Sequence, residues 1–232
     1  MKRVIIPMTA MLALFLASSF IFPDRSGEEL RQLDEFYGIG IAVSADVYYT
    51  QGDTHEIRIE GKDRDVEDLI TKVRDGFLQV KYEDWRVNRS RLTIYITSGD
   101  LEKVKISGSG HFVVKKVLAS DEMELAMSGS GSISFKQLSS DEVDVKISGS
   151  GDISLGAGSA DEIDVKISGS GKLDAEQFEV SEFSAAISGS GSARITCKDD
   201  LDVRISGSGK VYYHGDPRVN SVSSGSGKTV AL

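Results

Sequence analysis

Short runs of alternating apolar and polar residues recur along most of the chain after residue 36. In one stretch, Ile163, Val165 and Ile167 alternate with Asp164 and Lys166. A period of two places every second side chain on one face, as in a strand with one buried face. The alternation resumes after each Gly-Ser corner, so the pattern predicts about two short strands in each repeated unit.

A four-residue corner, SGSG, follows these strands and recurs seven times, with first serines spaced by 21, 20, 20, 20, 18 and 18 residues. These serines are Ser107, Ser128, Ser148, Ser168, Ser188, Ser206 and Ser224. So short a unit cannot bury a core alone, whereas stacked copies pair like strands about 4.8 Å apart. We therefore predict an all-β fold, a parallel β-solenoid with coils of 18–21 residues. The general crossover preference favours a right-handed path.

The N-terminal half of the chain lacks SGSG but keeps strand signals, such as HEIRIEG and RLTIYIT. Within it, DRDVEDLITKV places Val66, Leu69, Ile70 and Val73 at helical spacing. This spacing predicts a short amphipathic helix.

These patterns divide the chain into segments. We predict one solenoid domain over residues 36–232, in which 36–106 form divergent coils or a cap and 106–232 form the SGSG repeats. A cap is expected because a bare terminal coil exposes strand edges and core. Residues 20–35 are interpreted as a tether.

The beginning of the chain is typical of an export signal. Lys2 and Arg3 precede an uncharged, mostly apolar run from Val4 to Phe22. A basic start, an apolar run and a small-residue cleavage site predict a signal peptide over residues 1–19. The alternative is an uncleaved membrane anchor that reaches residue 22. In either case we expect the folded part outside the cytoplasm, in the periplasm, at the cell surface or secreted.

Net charge and cysteine content exclude several classes of partner and site. The formal net charge of −9 argues against nucleic acid as a partner and against attraction to an anionic membrane surface. Membrane contact is therefore expected only through an uncleaved N-terminal segment. Cys197 is the one cysteine, so no intrachain disulfide can form, and we interpret it as a buried or half-buried, small apolar residue.

The stretch SSGSGKT near the C-terminus resembles the end of a phosphate-binding loop. Gly227, Lys228 and Thr229 fit the last three positions of that motif, but Val222 stands where its first glycine belongs. The stretch is also the seventh copy of the repeat. We therefore interpret it as a solenoid corner and expect no nucleotide.

Few residues suggest catalysis. His55, His111 and His214 lie in unrelated contexts, and Trp85 is a lone aromatic residue in a loop. Carboxylates align from repeat to repeat and would form rows of like charge, offset in part by Lys146 and Lys166. The rows are Asp121, Asp141 and Asp161; Glu122, Glu142 and Glu162; and Glu124, Asp144, Asp164 and Asp202. Solvation of these rows is favoured over calcium binding, and we expect no catalytic residue, no cofactor and no metal.

Three stretches together resemble a known family: FYGIGIAVSADVYYTQGD, IRIEGKDRDVEDLITKVRDGFLQVKY and the repeated ISGSG. Over about Phe36 to Leu232, the chain is similar to the bacterial autotransporter adhesin head domain, also called the GIN domain. The resemblance implies an exported all-β solenoid, often associated with the envelope and without assigned enzymatic activity. Many members look like lipoproteins, whereas this chain lacks the lipid-bearing cysteine.

Taken together, these features predict an exported, non-catalytic envelope protein that acts as an adhesin-like binding or structural module. Its expected partner is an envelope glycan or protein. The alternative is a carbohydrate-active enzyme, because parallel β-helices also host polysaccharide cleavage. A cleft lined by converging carboxylates or Arg/Lys side chains would favour the enzyme, whereas smooth ladders would favour the binding module.

Overall fold

The computed structural model of the chain describes residues 26–84 and 88–232. Within them, 73% of the residues lie in strands, arranged as a β-solenoid of about 6 turns. This confirms the all-β solenoid expected from the alternation and the SGSG spacing. The predicted signal peptide and Trp85 lie outside the described residues.

The first half contains nine strands and one helix. They are β1 (Ser26–Gln32), β2 (Gly38–Ile41), β3 (Ala45–Gln51), β4 (Glu56–Lys62), α1 (Asp63–Glu67), β5 (Ile70–Arg74), β6 (Phe77–Lys81), β7 (Leu92–Ser98), β8 (Lys103–Gly108) and β9 (His111–Ala119). This helix is neither long nor apolar enough to span a bilayer.

The SGSG region supplies the remaining strands. They are β10 (Glu122–Gly129), β11 (Ser132–Ser139), β12 (Glu142–Gly149), β13 (Asp152–Gly169), β14 (Lys172–Gly189), β15 (Ser192–Gly207), β16 (Lys210–His214), β17 (Arg218–Gly225) and β18 (Lys228–Ala231). The three longest, β13 to β15, continue through a corner that interrupts the equivalent strands of earlier coils.

Parallel ladders join like positions of successive coils. Glu142 pairs with Glu162 and Ile147 with Ile167, as the repeat spacing predicts. One ladder runs in the order β6, β2, β8, β10, β12, β13, β14, β15 and β17. The first coil in the sequence, β2 and β3, thus lies between the coil of β6 and β7 and that of β8 and β9.

The SGSG corners stack directly on one another. Gly149 has a φ of +111°, and a Cβ atom there would lie 2.6 Å from the carbonyl oxygen of Gly129 in the preceding coil. The backbone N–H of Ser150 donates to that same oxygen at 2.9 Å. Glycine is required because any side chain would both clash and strain the backbone.

The core consists of aliphatic stacks, one residue from each coil. Met127, Ile147, Ile167 and Ile187 are each 2% exposed and lie one above the other. Cys197 is fully buried, as predicted, and burial raises the pKa of its thiol.

The N-terminal end of the stack is covered by antiparallel pairs. β4 pairs with both β1 and β7, and β5 pairs with β6. The predicted cap is therefore built from strands that run against the coil direction, and it closes the outermost coil, that of β6 and β7, without adding another coil.

Two local predictions need correction in this cap. The helix ends at Glu67, and Ile70 and Val73 lie in β5, because pairing with β6 replaces the helical hydrogen bonds there. Part of the segment interpreted as a tether, residues 26–32, is strand β1. Arg31 fixes this strand by donating to the carbonyl oxygens of Val66 and Leu69, at 2.9 and 2.5 Å.

Candidate functional site

A groove of about 760 Å³ runs over the outer face of the ladder from β6 to β14. Its long axis follows the stacking direction, and successive coils each contribute equivalent residues. We name the lysine row, which comprises Lys105, Ala126, Lys146, Lys166 and Ala186, and the serine row, which comprises Ser107, Ser128, Ser148, Ser168 and Ser188.

An aromatic ring forms one end of the groove. Phe77 on β6 lies over two glycines of the neighbouring strand β2, Gly38 and Gly40. A Cβ atom on either glycine would stand 2.5 to 2.7 Å from the ring. The absence of side chains on β2 therefore lets the ring rest on the sheet and gives the groove an apolar end.

The lysines of the groove differ in their partners. The ammonium groups of Lys105 and Lys146 lie 3.5 and 3.7 Å from the carboxylate of Glu124, and Lys146 is also 3.5 Å from Asp144. Across residues 26–84 and 88–232, neither Lys81 nor Lys166 has a carboxylate within ion-pair distance. These two ammonium groups are therefore available to an anion.

The carboxylate of Glu124 lies beside the groove and close to three lysines, Lys103, Lys105 and Lys146. Partial burial raises the pKa of its carboxyl group, but a hydrogen bond from Lys103 and the charges of Lys105, Lys103 and Lys146 outweigh burial and lower the pKa overall. The same hydrogen bond raises the pKa of Lys103. Both groups are therefore charged at neutral pH, and Glu124 anchors the start of the lysine row.

The acidic rows form along the ladder, but Ser184 interrupts the row of Glu124, Asp144 and Asp164 before Asp202. Glu122, Glu142, Glu162 and Glu182 pair in register along the ladder. Burial and then the neighbouring carboxylates, Asp164 first, raise the pKa of Glu162. Within the described part of the chain, no group of three or more His, Cys, Asp or Glu side chains is placed to hold a metal ion.

The histidines lie in three different places. His55 packs edge-on against Phe36, with ring centroids 5.9 Å apart. His111 Nδ1 lies 2.7 Å from the hydroxyl of Ser132, and His214 Nε2 lies 3.2 Å from Glu176. The geometry therefore brings no two of these histidines into the groove.

The phosphate-loop-like stretch is a corner of the solenoid. Ser226 and Gly227 connect β17 to β18, and Lys228 and Thr229 begin the strand β18. The backbone N–H of Gly227 donates to the carbonyl oxygen of Gly207 at 2.9 Å, so it serves the stacking of corners.

Sequence reasoning recognised Lys146 and Lys166 as partners of the acidic rows but missed the groove. A signal was present, because the residue before each copy of ISGSG or MSGSG reads Lys, Ala, Lys, Lys, Ala and Arg. In register, this position becomes one outward-facing row in which alanines leave space between lysines. The placement of Phe77 over β2 had no such signal.

The fold and the groove define a class of protein, an all-β solenoid whose extended outer face carries a concave groove. The family model described as "Putative auto-transporter adhesin, head GIN domain" matches residues 35–217. The chain therefore belongs to this family, as the resemblance of its motifs indicated. Among curated proteins, none matches the chain.

Solved structures share the fold over most of both chains. A "putative adhesin" from Bacteroides fragilis NCTC 9343 is 23% identical, with a TM-score of 0.81 over 90% of this chain and 98% of that one. A "putative adhesin" from Parabacteroides merdae ATCC 43184 is 26% identical, with a TM-score of 0.73 over 90% and 96%. A "putative lipid binding protein" from Parabacteroides distasonis ATCC 8503 is 23% identical, with a TM-score of 0.73 over 89% and 96%.

Proposed function

We propose that the chain is an exported, non-catalytic, adhesin-like binding module of the cell envelope, and that the groove is its binding surface. Its family supplies the adhesin-like class. The basic, apolar start of the sequence supports export. The expected partner is an envelope glycan or protein that carries negative charge.

The observation that carries this proposal is the groove itself. Ligand sites are concave, and their volumes usually lie between about 300 and 1,000 Å³, a range that includes this groove. Its lining residues include four lysines and no carboxylate, in a chain with a net charge of −9. Positive charge is thus concentrated on one concave surface of an acidic protein, which favours binding of an anion there.

Two measurements test the proposal. Protease added to intact producing cells should digest the protein if it lies on the surface, and fractionation should otherwise recover it from the periplasm or the medium. The purified protein should bind envelope fractions, and Ala186→Trp should abolish this binding by filling the groove. Lys172→Glu, on an exposed residue outside the groove, is the control and should bind normally. Cytoplasmic recovery, or equal binding by both variants, would contradict the proposal.

A carbohydrate-active enzyme is the second candidate, and the same lysines favour it. The groove is a cleft lined by Lys side chains, which meets part of the condition set from the sequence. The lysines are, however, spread over four coils, no more than one in each, and do not converge on one point. Identical groups in similar surroundings also lack the paired, unequal pKa values that glycoside cleavage requires.

Turnover assays separate the two candidates. The purified protein should leave a panel of neutral and acidic polysaccharides, peptidoglycan and esters intact. Cleavage of any member that disappears in Lys146→Ala or Lys166→Ala, but persists in Lys172→Ala, would establish the enzyme instead.

A further inference from the structure

The floor of the groove is mostly carbon. Ala42, Ala126 and Ala186 contribute methyl groups, Phe77 contributes its ring, and the lysines contribute their methylene stems. Outward-facing positions of a solenoid are normally polar, and this face departs from that rule at several neighbouring positions where the groove lies. Ala126 and Ala186, the two alanines of the lysine row, also keep the groove open. A lysine side chain at either of these two positions would fill the space above the strand.

The cations stand at intervals along this apolar floor. Lys81 lies on β6 and Lys166 lies on β13, which are separated by five strand spacings, or roughly 24 Å. Both are exposed and unpaired within the described residues, whereas Lys105 and Lys146 are engaged by Glu124. An anionic group at either position gains a charge-assisted contact without displacing an existing ion pair.

The groove spans seven strands, so it is about 29 Å long at the usual strand spacing. Its volume is that of a small-molecule site. A long, mostly carbon-lined groove with an unpaired cation suits one extended hydrocarbon chain that ends in an anion. A polysaccharide would require hydrogen-bonding groups on both sides of the groove, whereas the serine row supplies hydroxyls along one side and the lysine row presents methylenes and methyl groups beneath its ammonium groups.

We propose that the groove binds a single long-chain carboxylate, with the carboxylate beside Lys166 and the hydrocarbon extending from there past the stem of Lys146 and over Ala126 towards Phe77. Ser168, in the adjacent serine row, lies two residues from Lys166 on the same face and is placed to donate to the same carboxylate. The inference rests on the proposed function, because it names the chemistry of the ligand that the proposed binding surface accepts.

Calorimetric titration with hexadecanoate below its micellar concentration tests the inference. We expect saturable binding at one site per chain, and at least tenfold weaker binding of both butanoate, which lacks the long chain, and hexadecanol, which lacks the charge. Lys166→Glu should weaken hexadecanoate binding at least tenfold, whereas Lys172→Glu should change it less than twofold. Ala186→Trp should weaken it similarly, because the indole would crowd the carboxylate beside Lys166 on the adjacent strand, without lowering the melting temperature, since Ala186 is exposed.

Several outcomes would overturn the inference. Failure of the folded protein to bind hexadecanoate would do so, as would unchanged affinity in Lys166→Glu. If Ala186→Trp does not fold, Lys166→Glu alone decides. Binding of an acidic polysaccharide or of anionic phospholipid vesicles, lost in Lys166→Glu without any binding of hexadecanoate, would overturn the long-chain carboxylate but leave the proposed binding surface in place. Absence of all such binding, including binding to envelope fractions, would overturn both.

Discussion

At the N-terminal end of the stack, antiparallel strands and a buried ion pair cover the first coils, whereas the last coil, β17 and β18, has no such cover within the described chain. The carboxylate of Asp65 on α1 is fully buried. It accepts hydrogen bonds from the backbone N–H of Ser90 at 2.9 Å and from Arg89 at 3.4 Å. These contacts bind residues 88–91 to the helix and close that end.

The last coil instead changes its inward-facing residues. Val203, Ile205 and Val211 are buried, but Ser221, Ser223 and Thr229 occupy the same positions one coil later. The hydroxyls of Ser221 and Thr229 lie 2.7 Å apart and join the two strands across the coil. Every residue of β17 is exposed.

The two ends of the stack protect the exposed side of the core in different ways. A terminal coil exposes strand edges and one side of the core, and natural repeat proteins protect such ends with altered repeats. Here one end is covered by added elements and the other is made polar. We therefore expect the N-terminal end to contribute much more to stability than the C-terminal end.

The largest expected effect comes from removing the buried carboxylate of Asp65, whose contacts with Ser90 and Arg89 we call the buried clamp. Asp65→Ala removes a fully buried carboxylate, leaves the N–H of Ser90 without its side-chain acceptor and leaves Arg89 with its ion pair to Asp68 at 2.5 Å, so the free energy of unfolding should fall by about 3.5 kcal/mol. Asp46→Ala is the matched control, since its ion pair with Arg91 at 2.7 Å is well exposed. It should cost less than about 1 kcal/mol in the same urea titration. Similar losses in the two variants would mean that the clamp does not secure this end.

The pH dependence of the clamp follows from the same contacts. Burial raises the pKa of Asp65, but the hydrogen bonds from Ser90 and Arg89 and the charges of Arg64 and Arg89 outweigh it and lower the pKa below the usual 3.8. A carboxyl group with a lowered pKa in the fold stabilises it above the unfolded pKa, and this contribution is lost as pH falls. Wild type should therefore lose more stability than Asp65→Ala below about pH 4.

The next largest contrast compares equivalent core positions in the last two coils. Leu201 is fully buried, whereas Val219, its partner in β17, is 44% exposed. Leu201→Ala should reduce the free energy of unfolding by about 3 kcal/mol, because it leaves a cavity. Val219→Ala should cost less than about 0.5 kcal/mol, as at most surface sites. A comparable loss at Val219 would show that the last coil is as well packed as the rest.

The sequence predicted the repeating part of this fold in detail. Because each unit repeats its corner and its alternation, the spacing alone sets Glu142 beside Glu162 and Ile147 beside Ile167. The sequence could not predict the spatial order of the first coils. No repeat indicates that the coil of β2 and β3 lies between two coils that follow it in the sequence. Residues 70–74 show the same limit, because pairing with β6 overrides their helical spacing.

The candidate site was predictable to a smaller extent. The lysine row lies at one position of the repeat, so its alignment follows from the sequence. The groove also depends on Phe77, which comes from a coil without SGSG and lies over glycines of a strand distant in sequence. Only the three-dimensional order of the coils brings that ring to the end of the row.

Replacing a corner glycine should cost less stability than the substitutions above, and the cost should differ between a central coil and the last coil. Gly149 and Gly225 have similar geometry, with φ values of +111° and +123°, and a Cβ atom on either would lie within 2.6 Å of a carbonyl oxygen in the preceding coil. Gly149→Val should cost about 2 kcal/mol through overpacking and backbone strain. Gly225→Val should cost about 1 kcal/mol or less, because the last coil can separate locally. Equal melting temperatures for wild type and Gly149→Val would show that the corners are open loops.

The smallest effect concerns the acidic row, which also differs between the centre and the end. In the centre, Glu162 lies between Glu142 and Glu182 and its pKa is raised, so its charged form is disfavoured by folding. At the end, Asp200 is instead paired with Arg218 at 2.6 Å. Because a raised carboxyl pKa reduces stability above that pKa, Glu162→Gln should stabilise the protein slightly at pH 7, by about 0.3 kcal/mol at this exposed site.

Asp200→Asn should act in the opposite direction by a similar amount, since it removes an exposed ion pair. Urea midpoints for the two variants, measured at pH 7 and again below pH 4, separate charge from packing. At low pH the carboxyl groups are protonated, so both differences from wild type should vanish. If Glu162→Gln remains more stable than wild type at low pH, the substitution acts through packing. If it is less stable than wild type at pH 7, lysines and solvent already neutralise the central acidic row as effectively as Arg218 neutralises Asp200.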